Sequence, residues 1–159
     1  MIDAAEFRRI MGHLATGVAI ITARDPASGE PCGLTANAVA SVSLEPPLVL
    51  ACVEHGADSH DCIESYGRFT INVLAMDQES LARRFAELPA ERKFDGVGYR
   101  TARTGAPVLD EALAWVDCTV WAAYPGGDHT IFVGEVQAGD AREAEPLVYF
   151  RGGFGRLLT

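Results

Sequence analysis

Short runs of β-branched and aliphatic residues recur along most of the chain, and the segments between them are rich in turn-forming residues. The runs cover residues 18–23, 34–44, 48–53, 68–74, 113–124, 130–138 and 147–151. Breaks such as "DPASGEP", "PGGD" and "AGDAREAEP" carry the proline, glycine and aspartate that chain reversals use. Because parallel strands need long crossovers, strands this close together argue against a Rossmann domain. The pattern predicts a mainly β fold, a barrel or sandwich with helical additions.

Helical spacing interrupts this pattern in three places. Near the start, Asp3 is placed to cap a helix on which Phe7, Ile10 and Leu14 share one face, and we expect that helix to end at 16–17. Two further helices are expected at about 60–66 and 78–87. Asp77 is the expected cap of the last one.

Charge and hydropathy exclude several classes of protein. The 159-residue chain has 13 Lys and Arg against 22 Asp and Glu, a formal charge of −9, which repels nucleic acid and anionic membrane surfaces. The opening "MIDAAEF" lacks the basic segment and apolar run of a secretory signal, and no apolar run approaches the ~20 residues that cross a bilayer. We therefore expect a cytoplasmic protein in which residues 1–159 form one domain.

The cysteines carry no recognisable framework. They lie at positions 32, 52, 62 and 118, without C-x-x-C spacing and without the density of a disulfide scaffold. Reduced, mostly buried thiols are therefore the expected state of Cys32, Cys52, Cys62 and Cys118.

The segment "EHGADSHD" superficially suggests a metal site. It places His55 and His60 close to Asp58 and Asp61, but it offers no clean tetrahedral set of ligands. Capping of a following helix explains these residues more simply, and we expect no metal.

The segment "GLTANAVASVSL", residues 33–44, is uncharged yet rich in hydrogen-bonding groups. If it forms one strand, Thr35, Asn37, Ser41 and Ser43 share a face, because alternate residues of a strand point the same way. Neutral hydroxyls and an amide are poor acids and bases, but they hydrogen-bond well to carbonyls, ring nitrogens and phosphates. Two interpretations stay open: a ligand-binding face, which the absence of charge favours, and an ordinary solvent-facing strand.

Six blocks of the sequence resemble the flavin reductase-like family of short-chain NAD(P)H:flavin oxidoreductases. They are "ATGVAIITA", "GLTANAVASVSLEPPLVLACV", "GRFTINVL", "RKFDGVGY", "GDHTIFVGEV" and "PLVYFRGGFGRL". The blocks occur in the family's order and extend from about Phe7 to Leu157.

The resemblance implies an FMN-binding split barrel, a six-stranded antiparallel Greek-key barrel with helices, that forms a homodimer with the flavin site near the subunit interface. It implies hydride transfer from NADH or NADPH to FMN or FAD, and delivery of the reduced flavin to an oxygenase component. Two alternatives remain: a protein that holds FMN tightly as an electron carrier or sensor, and an enzyme whose reduced flavin serves another acceptor, such as ferric iron or a corrin-bound cobalt.

The resemblance also assigns site residues. Its flavin-binding segments correspond to Thr35, Ala36 and Asn37, to Ser41, Val42 and Ser43, to Cys52 and Val53, to Ser59, and to Arg92, Lys93 and Phe94. The first group and Cys52 and Val53 are expected at the ring. The serines at 41, 43 and 59 and the 92–94 loop are expected at the phosphate-bearing chain.

Three further residues are assigned to the nicotinamide side. The resemblance places His129 beside the flavin, where it seats the nicotinamide or handles a proton, although a histidine after a glycine turn is ordinarily a surface residue. Tyr149 and Phe154 either border the nicotinamide pocket or simply belong to the last strand of the barrel.

The sequence departs from the family pattern at two points near the flavin. Ala38 and Val39 replace a serine and an aromatic residue that many members carry, and Glu54 replaces a frequent asparagine. The choice between FMN and FAD therefore stays open.

Overall fold

The computed structural model describes residues 1–158, and its first element is the helix expected from the capping pattern. Helix α1 spans Ala4–Met11, and the Oδ1 atom of Asp3 accepts a hydrogen bond from the Glu6 backbone N–H at 2.9 Å. The helix ends before the expected 16–17: beyond Gly12 the i→i−4 bonds give way to i→i−3 bonds, from the His13 N–H to the Ile10 carbonyl at 3.1 Å and from the Leu14 N–H to the Met11 carbonyl at 3.0 Å. Thr16–Gly17 instead forms a short strand.

Antiparallel strands make up most of the remaining structure. They are β1 Thr16–Gly17, β2 Ala19–Arg24, β3 Pro31–Ala36, β4 Val39–Leu44, β5 Pro47–Glu54, β6 Arg68–Val73, β7 Tyr99–Thr101, β8 Pro107–Leu109, β9 Ala114–Gly126, β10 His129–Ala141, β11 Val148–Phe150 and β12 Gly153–Gly155. The prediction of a mainly β barrel with helical additions is confirmed. The strands that were not expected, such as β7 and β8, are two or three residues long.

The main sheet has seven strands in the order β3-β2-β6-β9-β10-β5-β4. Residues 33–44 do not form the single strand that the alternation suggested, because the chain leaves β3 at Ala36 and begins β4 at Val39. β3 pairs with β2 at one edge of the sheet, and β4 pairs with β5 at the other. Asn37 and Ala38 alone connect the two edges. β3 also contacts β5, so the sheet curls until its edges approach each other at this connection.

The core has two parts, one on each face of β2. Ile21 packs with Phe69 and Phe132 in one cluster. The adjacent Ile20 packs with Phe85 of helix α3, Glu79–Glu87, in the other. A strand buried on both faces explains why β2 reads as a continuous apolar run without alternation.

The helices α2 and α3 lie near their expected positions. Helix α2 spans His60–Tyr66 and ends at Gly67, whose φ of 67° is the left-handed conformation that glycine adopts at helix ends. The expected cap of α3 is wrong: Asp77 lies inside a 3₁₀ turn, Met76–Gln78, and Gln78 is the N-cap residue without a side-chain capping bond. Within residues 1–158 no helix is long and apolar enough to cross a membrane.

The predicted state of the cysteines is wrong for one pair. Cys32 of β3 and Cys62 of α2 form a disulfide with a Cα–Cα distance of 6.7 Å. They are 30 residues apart in the chain, and only the packing of α2 beside the sheet brings them together. Cys52 and Cys118 are free thiols, and burial, with Asp117 nearby, raises the pKa of Cys118 to about 12.

Candidate functional site

A cavity of about 330 Å³ opens between the end of β3, helix α3 and the hairpin of β11 and β12. It is lined by Val18, Thr35, Ala36, Asn37, Arg83, Ala86, Glu87, Tyr149, Gly152 and Phe154. Five of these were assigned from sequence: 35–37, Tyr149 and Phe154. The fold thus brings together two predicted groups that are more than a hundred residues apart in the chain.

The β3 wall of the cavity presents acceptors and small surfaces. The Thr35 hydroxyl donates to the Ala82 carbonyl at 2.6 Å, so toward the cavity it can only accept hydrogen bonds. Ala36 has only a methyl group, which lets a flat group approach the backbone. Asn37, which is exposed where β3 ends, adds an amide that both donates and accepts.

The opposite wall is aromatic and is held by a tight hairpin. Tyr149 and Phe154 are directly paired across β11 and β12, with ring centroids 5.5 Å apart. The turn between the strands places Arg151 at φ 48° and Gly152 at φ 78°. Two successive residues with positive φ are typical of type I′ turns, which match the twist of a two-stranded hairpin. The same turn is tied to the end of α1, because the Arg151 N–H donates to the Gly12 carbonyl at 2.7 Å.

Arg83 is a lining residue that the sequence analysis missed. Its guanidinium carbon lies 4.9 Å from the centroid of the Phe154 ring. Its nitrogens approach carboxylate oxygens of Glu79 at 3.6 Å and Glu87 at 3.9 Å. The i, i+3, i+4 spacing of Arg83, Ala86 and Glu87 places them on one face of α3 and could have identified that face.

The residues expected at the phosphate lie in a second group. Ser59 and Lys93 are buried, and the Ser59 hydroxyl and Lys93 Nζ donate to the same carbonyl, that of Gly33, at 2.7 and 3.0 Å. Lys93 Nζ also pairs with Asp58 Oδ1 at 2.8 Å. Neither Ser59 nor Lys93 lines the cavity at Thr35, but Gly33 is only two residues from Thr35 on the same strand.

The neighbours of Lys93 differ from one another. Arg92 is exposed at the end of a 3₁₀ turn, Ala90–Arg92. Phe94 is half-buried and packs edge-on against Phe85, with centroids 4.9 Å apart.

The β4 residues lie at the far edge of the sheet. Ser41 and Val42 are exposed, and Ser43 is half-buried. The register with β5 shifts between Ser41 and Ser43, so a bulge at Val42 interrupts the strict alternation of faces. None of the three lines the cavity at Thr35.

The two predicted β5 residues have different environments. The Val53 side chain is fully buried in the core. Cys52 is half-buried, burial raises the pKa of its thiol, and its N–H donates to the Ala38 carbonyl at 2.9 Å. Cys52 therefore adjoins the connection at Asn37 and Ala38, beside the β3 end of the cavity.

His129 begins β10 and is half-buried. Its Nδ1 lies 2.7 Å from Asp128 Oδ1, and this hydrogen bond lowers the pKa of the Asp128 carboxyl. In the sheet His129 pairs with Glu54, one of the residues that departs from the family pattern. His129 does not line the cavity at Thr35.

A cluster of possible metal ligands lies on α2, where none was expected. Ligand atoms of His60, Asp61 and Glu64 lie within 4.8 Å of one another. The His60 ring is already hydrogen-bonded, through Nδ1 to Asp61 Oδ1 at 3.0 Å and through Nε2 to Thr130 Oγ1 at 2.7 Å. The expectation of no metal stays a prediction.

Comparisons with known proteins agree on one family. The model of the flavin reductase like domain matches residues 11–158. A reductase component of a 4-nitrophenol 4-monooxygenase/4-nitrocatechol 2-monooxygenase from Rhodococcus opacus is 43% identical over 157 residues, which are 99% of this chain and 83% of that protein. A probable flavin reductase of Rhizobium meliloti is 40% identical over 96% of this chain, which spans only 48% of that protein.

A solved structure extends the similarity to the whole fold. The NADH:FAD oxidoreductase SgcE6 of Streptomyces globisporus, in complex with NAD and FAD fragments, superposes with a TM-score of 0.91 at 38% identity. The match covers 98% of this chain and 93% of that one.

Proposed function

The chain belongs to the flavin reductase like domain family, and we propose that it is an NAD(P)H-dependent flavin reductase whose reaction takes place beside Thr35, Ala36 and Asn37. It transfers hydride from NADH or NADPH to FMN or FAD. The reduced flavin is then delivered to a separate oxygenase component, as in relatives that are themselves reductase components of monooxygenases.

The observation that carries the proposal is the cavity between β3 and the β11–β12 hairpin. Residues assigned to the ring, 35–37, face residues assigned to the nicotinamide side, Tyr149 and Phe154, across about 330 Å³. This volume is within the range of small-molecule sites, and a concave site with one aromatic wall and several polar side chains opposite it is suited to a flat ring with polar edges. The residues present therefore fit a flavin.

The cofactors supply the redox chemistry, with the nicotinamide as hydride donor and the flavin as acceptor. The task of this chain is to hold the nicotinamide and flavin rings in contact, in the relative orientation that hydride transfer requires. Asn37 orients a ring by its amide, and Tyr149 and Phe154 provide a flat surface. Arg83 adds N–H donors to the cavity wall, while Glu79 and Glu87 offset its charge. No acid and base pair is required, in agreement with the neutral residues at 35–37.

The phosphate-bearing chain of the flavin is proposed to run from the ring toward Ser41, Ser43, Ser59, Arg92 and Lys93. Lys93 has three N–H donors, of which two are used by Gly33 and Asp58. The third is free to bind an anionic oxygen, and Arg92, the exposed residue before it in the chain, adds a second cation.

A homodimer is the proposed assembly. The unpaired side of β4 is the edge of the sheet, and Val42 and Leu44 on it are exposed, Leu44 to 96%. Trp121 and Tyr124 on β9 are also exposed, each by more than half of its surface. An exposed apolar edge strand promotes association, and a second copy of the chain would cover it.

The decisive experiment measures oxidation of NADH and of NADPH by the purified protein, with and without added FMN, FAD or riboflavin. A rate that rises and saturates with free flavin supports the reductase. A yellow protein that oxidises neither nucleotide would contradict it and would support the alternative of a tight FMN carrier.

A further inference from the structure

The Cys32–Cys62 disulfide is accessible from solvent. Both residues are half-buried and both line an open cavity of about 730 Å³ on the side of the sheet where Phe94 and Tyr99 lie. The disulfide therefore adjoins a cavity that small reagents can enter. By contrast, Cys118 is fully buried and its pKa is raised to about 12, which makes it a poor nucleophile in exchange or oxidation.

The disulfide joins the same elements as the hydrogen bonds of Ser59 and Lys93. Cys32 directly precedes Gly33, whose carbonyl accepts from Ser59 and Lys93. Cys62 lies on α2, one turn after Ser59, the residue that precedes the helix. The covalent bond and the two hydrogen bonds therefore hold α2 and the Lys93 segment against one point of β3.

These hydrogen bonds occupy groups that the proposed function assigns to the flavin phosphate. The Ser59 Oγ lies 2.7 Å from the Gly33 carbonyl oxygen and 3.0 Å from Asp58 Oδ1, so its single hydrogen is shared between these two acceptors. A phosphate oxygen is an acceptor only, so Ser59 cannot bind it while that hydrogen is engaged. Lys93 keeps one free N–H, but its 4% exposure limits access to it.

We propose that Cys32 and Cys62 form a reversible redox site that lowers flavin affinity in the disulfide form and raises it in the dithiol form. In the dithiol form α2 is no longer tied to Cys32, so the start of α2, which carries Ser59 and the Lys93 partner Asp58, can shift away from Gly33. Ser59 and Lys93 can then donate to a phosphate. The proposal rests on the proposed function, because it assumes that these residues meet the phosphate.

The redox chemistry balances with simple partners. Hydrogen peroxide, which forms in solution when free reduced flavin meets oxygen, oxidises one thiol to a sulfenic acid and water. The second thiol displaces a second water and closes the disulfide. A dithiol reductant reverses the step by exchange: its two thiols become a disulfide, and Cys32 and Cys62 each regain a proton. Reduced flavin made in excess of its acceptor would thereby slow its own production.

The test compares the wild-type protein in two redox states, prepared with dithiothreitol and with hydrogen peroxide. Alkylation of the unfolded protein and mass spectrometry should count four thiols in the first state and two in the second, those of Cys52 and Cys118. The Kd of FMN, measured by fluorescence titration, is expected to be about tenfold lower in the dithiol state, the effect of one hydrogen bond to a charged group.

Two variants separate the effect of the Cys32–Cys62 pair on FMN affinity from other effects of the two reagents. Cys32→Ser/Cys62→Ser should match the dithiol state and respond to neither reagent, whereas Cys118→Ala should keep the wild-type response. Equal FMN affinities in two states that thiol counting has verified would overturn the proposal, as would a pair that peroxide never closes. Either result leaves the reductase intact if NADH oxidation still depends on flavin; loss of that dependence in both states would contradict the proposed function itself.

Discussion

The proposed role of His129 in NADH binding can be tested by substitution, with His13 as the control histidine. It starts β10 half-buried and bonded to Asp128, whereas His13 is exposed beyond α1, with Nδ1 2.9 Å from the Arg9 carbonyl. If His129 seats the nicotinamide, His129→Ala should raise the KM for NADH about tenfold and leave the FMN Kd within twofold. Steady-state kinetics and flavin titration check this. His13→Ala should change neither quantity, and an unchanged KM in His129→Ala would remove the proposed role.

The raised pKa of the Cys118 thiol should make the unfolding free energy depend on pH in the alkaline range. Its pKa is raised from 9.0 to about 12 in the folded protein, so the folded state keeps a proton that the unfolded state loses above pH 9. The contribution of the Cys118 thiol to the unfolding free energy is therefore fully present below pH 9 and is lost as the pH rises toward 12. Between pH 8 and pH 10.5 the wild type should lose about 2 kcal/mol more unfolding free energy than Cys118→Ala, measured by urea denaturation. If the unfolding free energies of the two proteins fell by the same amount between these pH values, this prediction would be contradicted.

Single residues differ in how far their roles can be read from the sequence. Thr35, Ala36 and Asn37 form a compact motif, and the structure places all three on one cavity. The partners of Ser59 and Lys93 could not be read from the sequence, because both side chains bind a backbone carbonyl, that of Gly33, and any residue type offers one. Arg83 could not be assigned from the sequence, because the cavity that it lines forms only when α3 packs beside β3 and the β11–β12 hairpin.

At the scale of the elements, the β9–β10 hairpin depends on a glycine. Gly134 pairs with Val120 just after a register shift, and a Cβ at this position would lie 2.6 Å from Phe69 Cζ and 2.8 Å from Cys118 Cβ. Gly134→Ala should therefore lower the unfolding free energy by about 1–3 kcal/mol.

Gly56 provides the matched control for Gly134. A Cβ there meets nothing within 4 Å, and its φ is not positive, so Gly56→Ala should change the unfolding free energy by less than about 0.5 kcal/mol. Urea denaturation of both variants gives the comparison. Equal stabilities would mean that the hairpin relaxes around the added methyl group.

Strands and helices were predicted well where the periodicity of apolar residues determines them. Features that depend on tertiary contacts were predicted poorly. The strands β2, β5, β6, β9 and β10 and the helices α2 and α3 lie close to their expected positions, whereas α1 ends before its expected end. The 33–44 segment was misread because alternation continues through Asn37 and Ala38, and a sequence does not show which neighbour each half pairs with. The disulfide was missed for the same reason, since it depends on how α2 packs against the sheet.

For the whole molecule, the exposed edge strand predicts the oligomeric state. Leu44 is 96% exposed on β4, and Leu158, near the C-terminus, is 95% exposed. If a second copy covers β4, a charge at position 44 must be buried in the interface, which is costly. Leu44→Glu should therefore convert the dimer to a monomer in light scattering, and Leu158→Glu should not. A wild-type monomer at micromolar concentration would contradict the proposed assembly.

The two-residue connection at Asn37 and Ala38 has a consequence for the evolution of chain length. β3 and β4 belong to opposite edges of one sheet, so a residue inserted between them would have to bulge out of the connection or slip the register of β4 against β5, and a slip would turn the β4 side chains to the opposite face. The β2–β3 loop, 25–30, joins two adjacent strands and lies at the surface. Insertions and deletions should therefore accumulate in that loop among relatives, while the length of the segment from Thr35 to Val39 stays constant.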